Sequence, residues 1–198
     1  MTVQMKARHD EVTDVTDYLA DLLRGYEPRG AVEVRDFDRV RDLLGTQPDP
    51  WLRSTPLHLT ASALIVHPQT GRLLLRWHQR QQAWLHVGGH ADPGECDPVA
   101  VALREAHEET RLPDLAPWPD STLQHLVIVP VPAGRGEPEH EHADLRFVFA
   151  TQEPDKAQAE TPDAPLHWLM VSEAADITSE DNLRESIKRV QSRLASTS

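Results

Sequence analysis

The sequence predicts an α/β fold in which a mixed sheet is covered by helices on both faces, with a helical extension ahead of it. Three observations carry this prediction. Two amphipathic stretches fill residues 12–44 with no strand between them; from residue 58 the apolar period becomes that of strands; and the strand segments are then interleaved with helical ones. At 198 residues the chain has room for one domain with its own core, and two full domains would be cramped.

The elements follow in order. Val12, Val15, Leu19, Leu22 and Leu23 recur at helical spacing in residues 12–24, as do Val34, Phe37, Val40, Leu43 and Leu44 in residues 31–44, before Gly45. Residues 1–55 form the extension and residues 56–198 the domain proper. Residues 58–67 and 72–78 read as strands joined through Pro68, Gln69, Thr70 and Gly71, a hairpin. Trp84 to Gly88 is a short strand leading into a glycine loop. A helix from about Pro98 to Arg111 comes next, then strands over 123–131, 143–151 and 165–171. Asn182 to Leu194 closes the chain as a helix with Leu183, Ile187, Val190 and Leu194 on one stripe, and the last few residues are expected to fray.

Composition narrows the function. Hydrophobic residues make up 39% and charged residues 26%, a globular balance. The formal charge of −12 offers no basic surface for counterion release, so a nucleic-acid polymer is not an expected partner. No apolar run approaches the ~20 residues that span a bilayer. The amino terminus is polar, and the single Cys96 excludes an internal disulfide. A cytoplasmic protein with no membrane partner is expected.

The most informative segment is GGHADPGECDPVAVALREAHEETRL, residues 88–112. Asp97 before Pro98 is a strong helix start, since Asp accepts an orphan backbone N–H and Pro is pre-set for the first helical position. Val99, Leu103, Ala106 and, at the edge, Ala102 predict the buried side, which sets Glu105, Glu108 and Glu109 together on a face roughly opposite Leu103. Like charges one turn apart repel, and acids near a helix C-terminus meet the negative end of its macrodipole. Arg104 offsets part of this charge. A hard divalent cation offsets more, and Mg²⁺ takes oxygen ligands of this kind. In an acid-rich chain an E-x-x-E-E cluster by itself is a solvated helix face. The preceding loop alters the balance, because glycines let backbone approach a ligand where a side chain would obstruct it.

The segment resembles the Nudix box, G-x(5)-E-x(7)-R-E-U-x-E-E-x-G-U, where U is a bulky aliphatic residue. Gly89 and Glu95 match its first fixed positions, and Arg104 to Leu112 match its second half. There are three departures: one extra residue between Glu95 and Arg104, Arg111 in place of the box glycine, and the small Ala106 in an aliphatic slot. The extra residue falls in the loop or first helical turn and leaves the glutamate register intact.

The resemblance implies the Nudix-type α/β/α sandwich over roughly residues 56–175 and hydrolysis of a diphosphate joined to another group, X, commonly with a nucleoside at the other end. It implies Mg²⁺, or Mn²⁺ in its place, held by Glu105, Glu108, Glu109 and the Gly89 carbonyl. It places Glu108 and Glu109 in the catalytic set, braced by Arg104 and Glu95. The general base stays open between a box glutamate and Glu153 or Glu160 in the loop before the last strand.

Beside the box, His90 is an expected phosphate contact. The alternation of His140, His142, Asp144 and Arg146 against Leu145, Phe147 and Phe149 predicts a half-buried strand, and His142, Asp144 and Arg146 are expected to line the substrate pocket. His140 and His142 have no third ligand at a set spacing, so a soft-metal site is not predicted there. Trp84 and Trp168 suit either a stacked base or the core. Cys96 has no histidine or aspartate arrangement around it and is not read as a nucleophile. Two other readings share the box. A binding or sensing module without turnover has less need of all three glutamates with Arg104, and isomerisation of a prenyl diphosphate calls for a cysteine in a different strand context. The expected partner is a small-molecule diphosphate with X unassigned. Residues 1–55 stay open between a homodimer interface, a lid and packing.

Overall fold

The structure is a computed structural model that describes residues 18–134 and 136–197. In chain order the elements are α1 (residues 18–24), α2 (Gly30–Thr46), β1 (Leu57–His67), β2 (Arg72–His78), β3 (Ala83–Leu85), β4 (Val87–Gly89), α3 (Pro98–Thr110), β5 (Ala116–Pro117), β6 (His125–Val131), β7 (His140–Ala150), β8 (Leu166–Met170), α4 (Val171–Ile177) and α5 (Asp181–Thr197). A 3₁₀ turn covers Pro154–Lys156.

β1 and β7 run parallel, from Leu57 opposite Glu141 to Val66 opposite Ala150, and form the spine of one mixed sheet. Both are buried along most of their length and lack a clean polar alternation at their C-terminal ends, as parallel strands covered on two faces do. All other pairs are antiparallel. β2 and β4 pair with β1, β6 and β5 pair with β7, and β3 and β8 pair with β2.

Successive residues of β1 face opposite layers. Leu59, Ala61, Ala63 and Ile65 pack with Val101, Ala102 and Ala106 of α3, Leu19 and Leu23 of α1, and Val40 and Leu43 of α2. Leu64 and Val66 pack with Val171 and Ala174 of α4 and Leu183, Ile187 and Val190 of α5. This is the predicted α/β/α sandwich. The described part of the extension belongs to the first core.

Several expectations change in detail. Val12 and Val15 lie outside the described residues. On α2, Val40 and Leu43 are buried as predicted, but Val34 is exposed, and Glu33 and Asp36 turn inward. The pattern misleads because these acids have partners the local sequence does not contain. Arg189 of α5 donates to Glu33 at 2.9 and 2.6 Å, and the Ile128 N–H donates to Asp36 at 3.1 Å. The strand expected at 84–88 divides at His86, where the chain leaves its pairing with β2 for pairing with β1.

On α3 the buried side is Pro98, Val101, Ala102, Ala106 and Thr110, with Val99 and Leu103 only partly covered. The helix lies close to β1 and β4, and small residues allow that approach. Glu105 and Glu109 therefore flank the sheet instead of pointing away from the core. β7 begins at His140, ahead of the predicted start at 143, and α4 has no counterpart among the predicted elements. α5 continues to Thr197 through the residues expected to fray, with Arg193 donating to Thr122 at 3.2 Å. Among the described residues no helix is long and apolar enough to cross a membrane.

Two tests follow from the packing. Arg111 caps α3 at φ 54° and ψ 17°, a left-handed conformation that costs a non-glycine residue about 1 kcal/mol. Arg111→Gly is expected to raise the melting temperature by about 2–4 °C, read by calorimetry; a fall would show that the arginine side chain stabilises the cap. His125 is buried against Ser186 Oγ at 2.7 Å, and burial pushes its imidazole down to about 3. The unfolded chain takes up that proton near its ordinary pKa of about 6.5, so this contribution is complete above pH 6.5 and is lost as pH falls toward 3. Between pH 6 and 4, His125→Gln should reduce the slope of unfolding free energy against pH by about 1.4 kcal/mol per unit. An unchanged slope in denaturant titrations would remove the assignment.

Candidate active site

The site is assembled around β4, whose two glycines are confined from opposite sides. A Cβ on Gly88, at φ 148°, would sit 2.4 Å from Ser62 Oγ and 2.7 Å from the Ala61 carbonyl oxygen. A Cβ on Gly89 would sit 2.6 Å from Glu105 Oε1. At Gly88 the obstacle includes β1 backbone and the φ favours glycine, so no other residue type fits; at Gly89 the obstacle is the end of the Glu105 side chain, which a Cβ would push off the strand. β4 thus lies against β1 and admits the carboxylate of α3 directly onto its backbone.

α3 starts where the sequence predicts. The Asp97 carboxylate accepts from the N–H groups of Val99 and Ala100 at 2.8 and 3.4 Å, and Pro98 opens the first turn. The extra residue before Arg104 is absorbed ahead of the functional register: Arg104 Nε and Nη2 still donate to Glu95 at 3.0 and 2.9 Å. Arg104 also donates to the His90 carbonyl at 2.8 Å, to Glu105 at 3.0 Å and to Glu108 at 3.2 Å. It ties the glycine loop to the helix. These hydrogen bonds hold the Glu95 carboxyl below the usual range.

The three box glutamates occupy different environments. Glu108 is half exposed, whereas Glu109 is only 14% exposed. Glu109 accepts from the Gly88 N–H at 3.2 Å and faces Arg76 Nη1 at 3.2 Å. Burial raises the Glu105 carboxyl and pushes that of Glu109 up to about 7. Arg76 Nη2 lies 3.5 Å from Glu160, so the loop glutamate is linked to Glu109 through one guanidinium. Glu153 instead pairs with Lys156 at 2.8 Å. Two arginines thus face Glu95, Glu105, Glu108, Glu109 and Glu160, and the group keeps negative charge. This all-oxygen donor set suits a hard divalent ion.

A pocket of about 250 Å³ adjoins the loop, lined in part by Thr60, Ser62, His86, Gly88, Asp144 and Arg146. Asp144 and Arg146 are at this wall, but their charges are engaged within the protein. Asp144 accepts from Thr60, Ser62 and Arg146 at 3.1, 2.7 and 2.7 Å; Arg146 donates onward to Ser186 and Asn182. Burial pushes the Asp144 carboxyl up, and Arg146 and His86 beside it more than offset this, holding it well below the carboxylate range. His90 and His142 meet each other and two further histidines, with His90 Nε2 3.2 Å from His142 Nε2. Trp84 packs edge-on against Trp77 and His167, and Trp168 donates to the Pro154 carbonyl at 3.0 Å.

Sequence reasoning missed Arg76 and His58. The signal for Arg76 was available, because β2 places it on the same side as the buried Leu74, and an arginine on a core-facing position calls for an acidic partner. His58 has no local signal, since the histidines it meets lie 32 or more residues away.

Comparison with known proteins agrees with this geometry. A family profile described as the NUDIX domain matches residues 56–190. A probable DHNTP pyrophosphohydrolase of Lactococcus lactis subsp. cremoris is 30% identical over 128 residues, which cover 61% of this chain and 68% of that one. The C. elegans Ap4A hydrolase, solved as a binary complex, shares the fold with a TM-score of 0.56 at 20% identity, over 70% of this chain and 98% of its own. The E. coli dihydroneopterin triphosphate pyrophosphohydrolase does so with a TM-score of 0.51 at 19% identity, over 66% and 92%. The matched span takes in the box, with Arg104 bonded to Glu95 within it, and most of the sandwich around it, and it leaves one assignment: the chain belongs to the Nudix hydrolase family.

Proposed function

We propose that the chain hydrolyses the diphosphate linkage of a small molecule in which a nucleoside diphosphate, or a closely related group, is joined to a moiety X, with Mg²⁺ or Mn²⁺ at the box. One observation carries this reading: Glu105 and Glu109, both drawn toward the core, converge on the bare backbone of Gly88 and Gly89 while Arg104 and Glu95 brace the loop. Burying like charges is costly without a counterion. Glu105, Glu108 and Glu109, with the backbone at Gly89, would hold the ion. Bound there, it offsets the charge of the diphosphate and favours attack by water.

The chain's own groups divide the remaining work. Arg104 fixes the loop on the helix. Arg76 holds Glu109 on one side and Glu160 on the other. Glu160 is about half exposed and lies off the helix, which supports it as the group that accepts the proton of an attacking water. A cytoplasmic place of action accords with the single cysteine. The relatives named above put dihydroneopterin triphosphate and Ap4A into the substrate panel, beside ADP-ribose, sugar nucleotides and nucleoside triphosphates.

The direct test is phosphate or nucleotide release from that panel with Mg²⁺, comparing the native chain with Glu109→Gln. Turnover of at least one compound, lost in a variant whose circular dichroism is native, is expected; equal rates in the two proteins would remove the box from the chemistry. The base is tested separately. Glu160→Gln should lower kcat on the order of 100-fold with little change in KM, whereas Glu153→Gln stays near the native rate. The reverse ranking would transfer the role to Glu153.

A further inference from the structure

Four histidines from three distant segments meet beside the glycine loop. His58 starts β1, His90 follows β4, and His140 and His142 project from the same side of β7. His90 Nε2 lies 3.1 Å from His58 Nε2 and 3.2 Å from His142 Nε2, and His142 Nε2 lies 3.1 Å from His140 Nε2. Ligand nitrogens of His58, His140 and His142 all fall within 4.8 Å of one another. We propose that these four side chains form a Zn²⁺ site, separate from the carboxylate site of the box.

The proton count favours an ion at the centre. His58 Nδ1 faces the Thr55 carbonyl at 3.0 Å and His140 Nδ1 faces the Pro138 carbonyl at 2.9 Å. A carbonyl only accepts, so in the neutral rings both Nδ1 atoms carry the hydrogen and both Nε2 atoms turn lone pairs inward. His90 and His142 then supply at most two Nε2 protons for three short contacts, and one contact is left without a proton between its nitrogens. One cation serves all four lone pairs. In a tetrahedral site with Zn–N near 2.0–2.1 Å the nitrogens stand about 3.3 Å apart; the three short contacts are near this value, whereas the set within 4.8 Å takes in His58, His140 and His142 only, so His90 would complete the site by drawing in around the ion. The backbone carbonyls behind His58 and His140 supply the outer hydrogen bonds that orient metal-bound imidazoles.

Donor chemistry keeps the two sites apart. Imidazole suits zinc and its neighbours, whereas Mg²⁺ prefers oxygen. Four protein ligands leave no position for water or substrate, so the ion is structural. It clamps the loop after Gly89 onto β1 and β7, and Arg104, bound to the His90 carbonyl, relays that anchorage to α3.

The test is metal analysis of the full chain purified without chelator, followed by stripping and titration with Zn²⁺ or Co²⁺ in excess Mg²⁺. About one equivalent of zinc per chain is expected, with a rise in melting temperature on reloading and, for the cobalt form, the intense visible absorption of tetrahedral nitrogen ligation. His142→Ala should weaken Zn²⁺ binding on the order of 100-fold, while Glu109→Gln retains it even if the box proves inactive. The cobalt spectrum of the native chain reads the ligation directly, so the test stands even if His142→Ala fails to fold. Stripped protein that melts as before and gives no tetrahedral cobalt spectrum would overturn the proposal. So would weak zinc uptake by other histidines that His142→Ala leaves unchanged; a histidine cluster held by shared protons gives the first of these results.

Discussion

The structure depends on how closely β4 is allowed to approach its neighbours. Gly88 and Gly89 give up their side chains to Ser62 on one flank and to the Glu105 carboxylate on the other. Ala102 and Ala106 continue the same economy of volume on α3, which buries small residues against the sheet. Because helix and strand nearly touch, the Gly88 N–H reaches Glu109. Loop backbone and helix carboxylates meet there; a larger residue at Gly88 would press β4 off β1, and one at Gly89 would push the Glu105 carboxylate away.

Around that unit, arginines join elements the backbone does not. Arg189 reaches from α5 to Glu33 on α2 and to the Gln124 carbonyl before β6. Arg146 links β7 to Ser186 and Asn182 of α5 while pairing with Asp144. Such buried pairs add little net stability over apolar packing, but losing one partner leaves an uncompensated charge. They fix which helix face turns inward. The box differs in kind, because its acids outnumber the nearby guanidiniums, and that surplus is the charge the proposed cation would offset.

Much of this was legible along the chain. The hairpin, α3 with its Asp97 cap, and the Leu183, Ile187 and Val190 stripe are written in local periodicity, and the Arg104–Glu95 brace follows from spacing once the box is seen. Other features needed the third dimension. Glu33 and Asp36 look like solvent residues until Arg189 and the edge of β6 are beside them. Asp144 and Arg146 read as open pocket charges, yet each spends its polar atoms on neighbours from other strands and α5. His140 and His142 looked like a pair because the imidazoles that complete the group, His58 and His90, arrive from elsewhere in the sequence. Periodicity reports which side of an element is apolar; it does not report who stands opposite.

The parallel spine has a consequence for how the molecule is made. Thr60 and Asp144, bonded across β1 and β7, are 84 residues apart, so the central pairing cannot close until most of the chain has left the ribosome. Local hairpins and helices form in microseconds, but a contact of this span bears a large loop-closure entropy and comes late. Until then one long side of β1, among the most apolar strands of the protein, stands as an unpaired edge able to recruit another nascent chain. The architecture that buries the spine most completely at the end exposes it longest on the way.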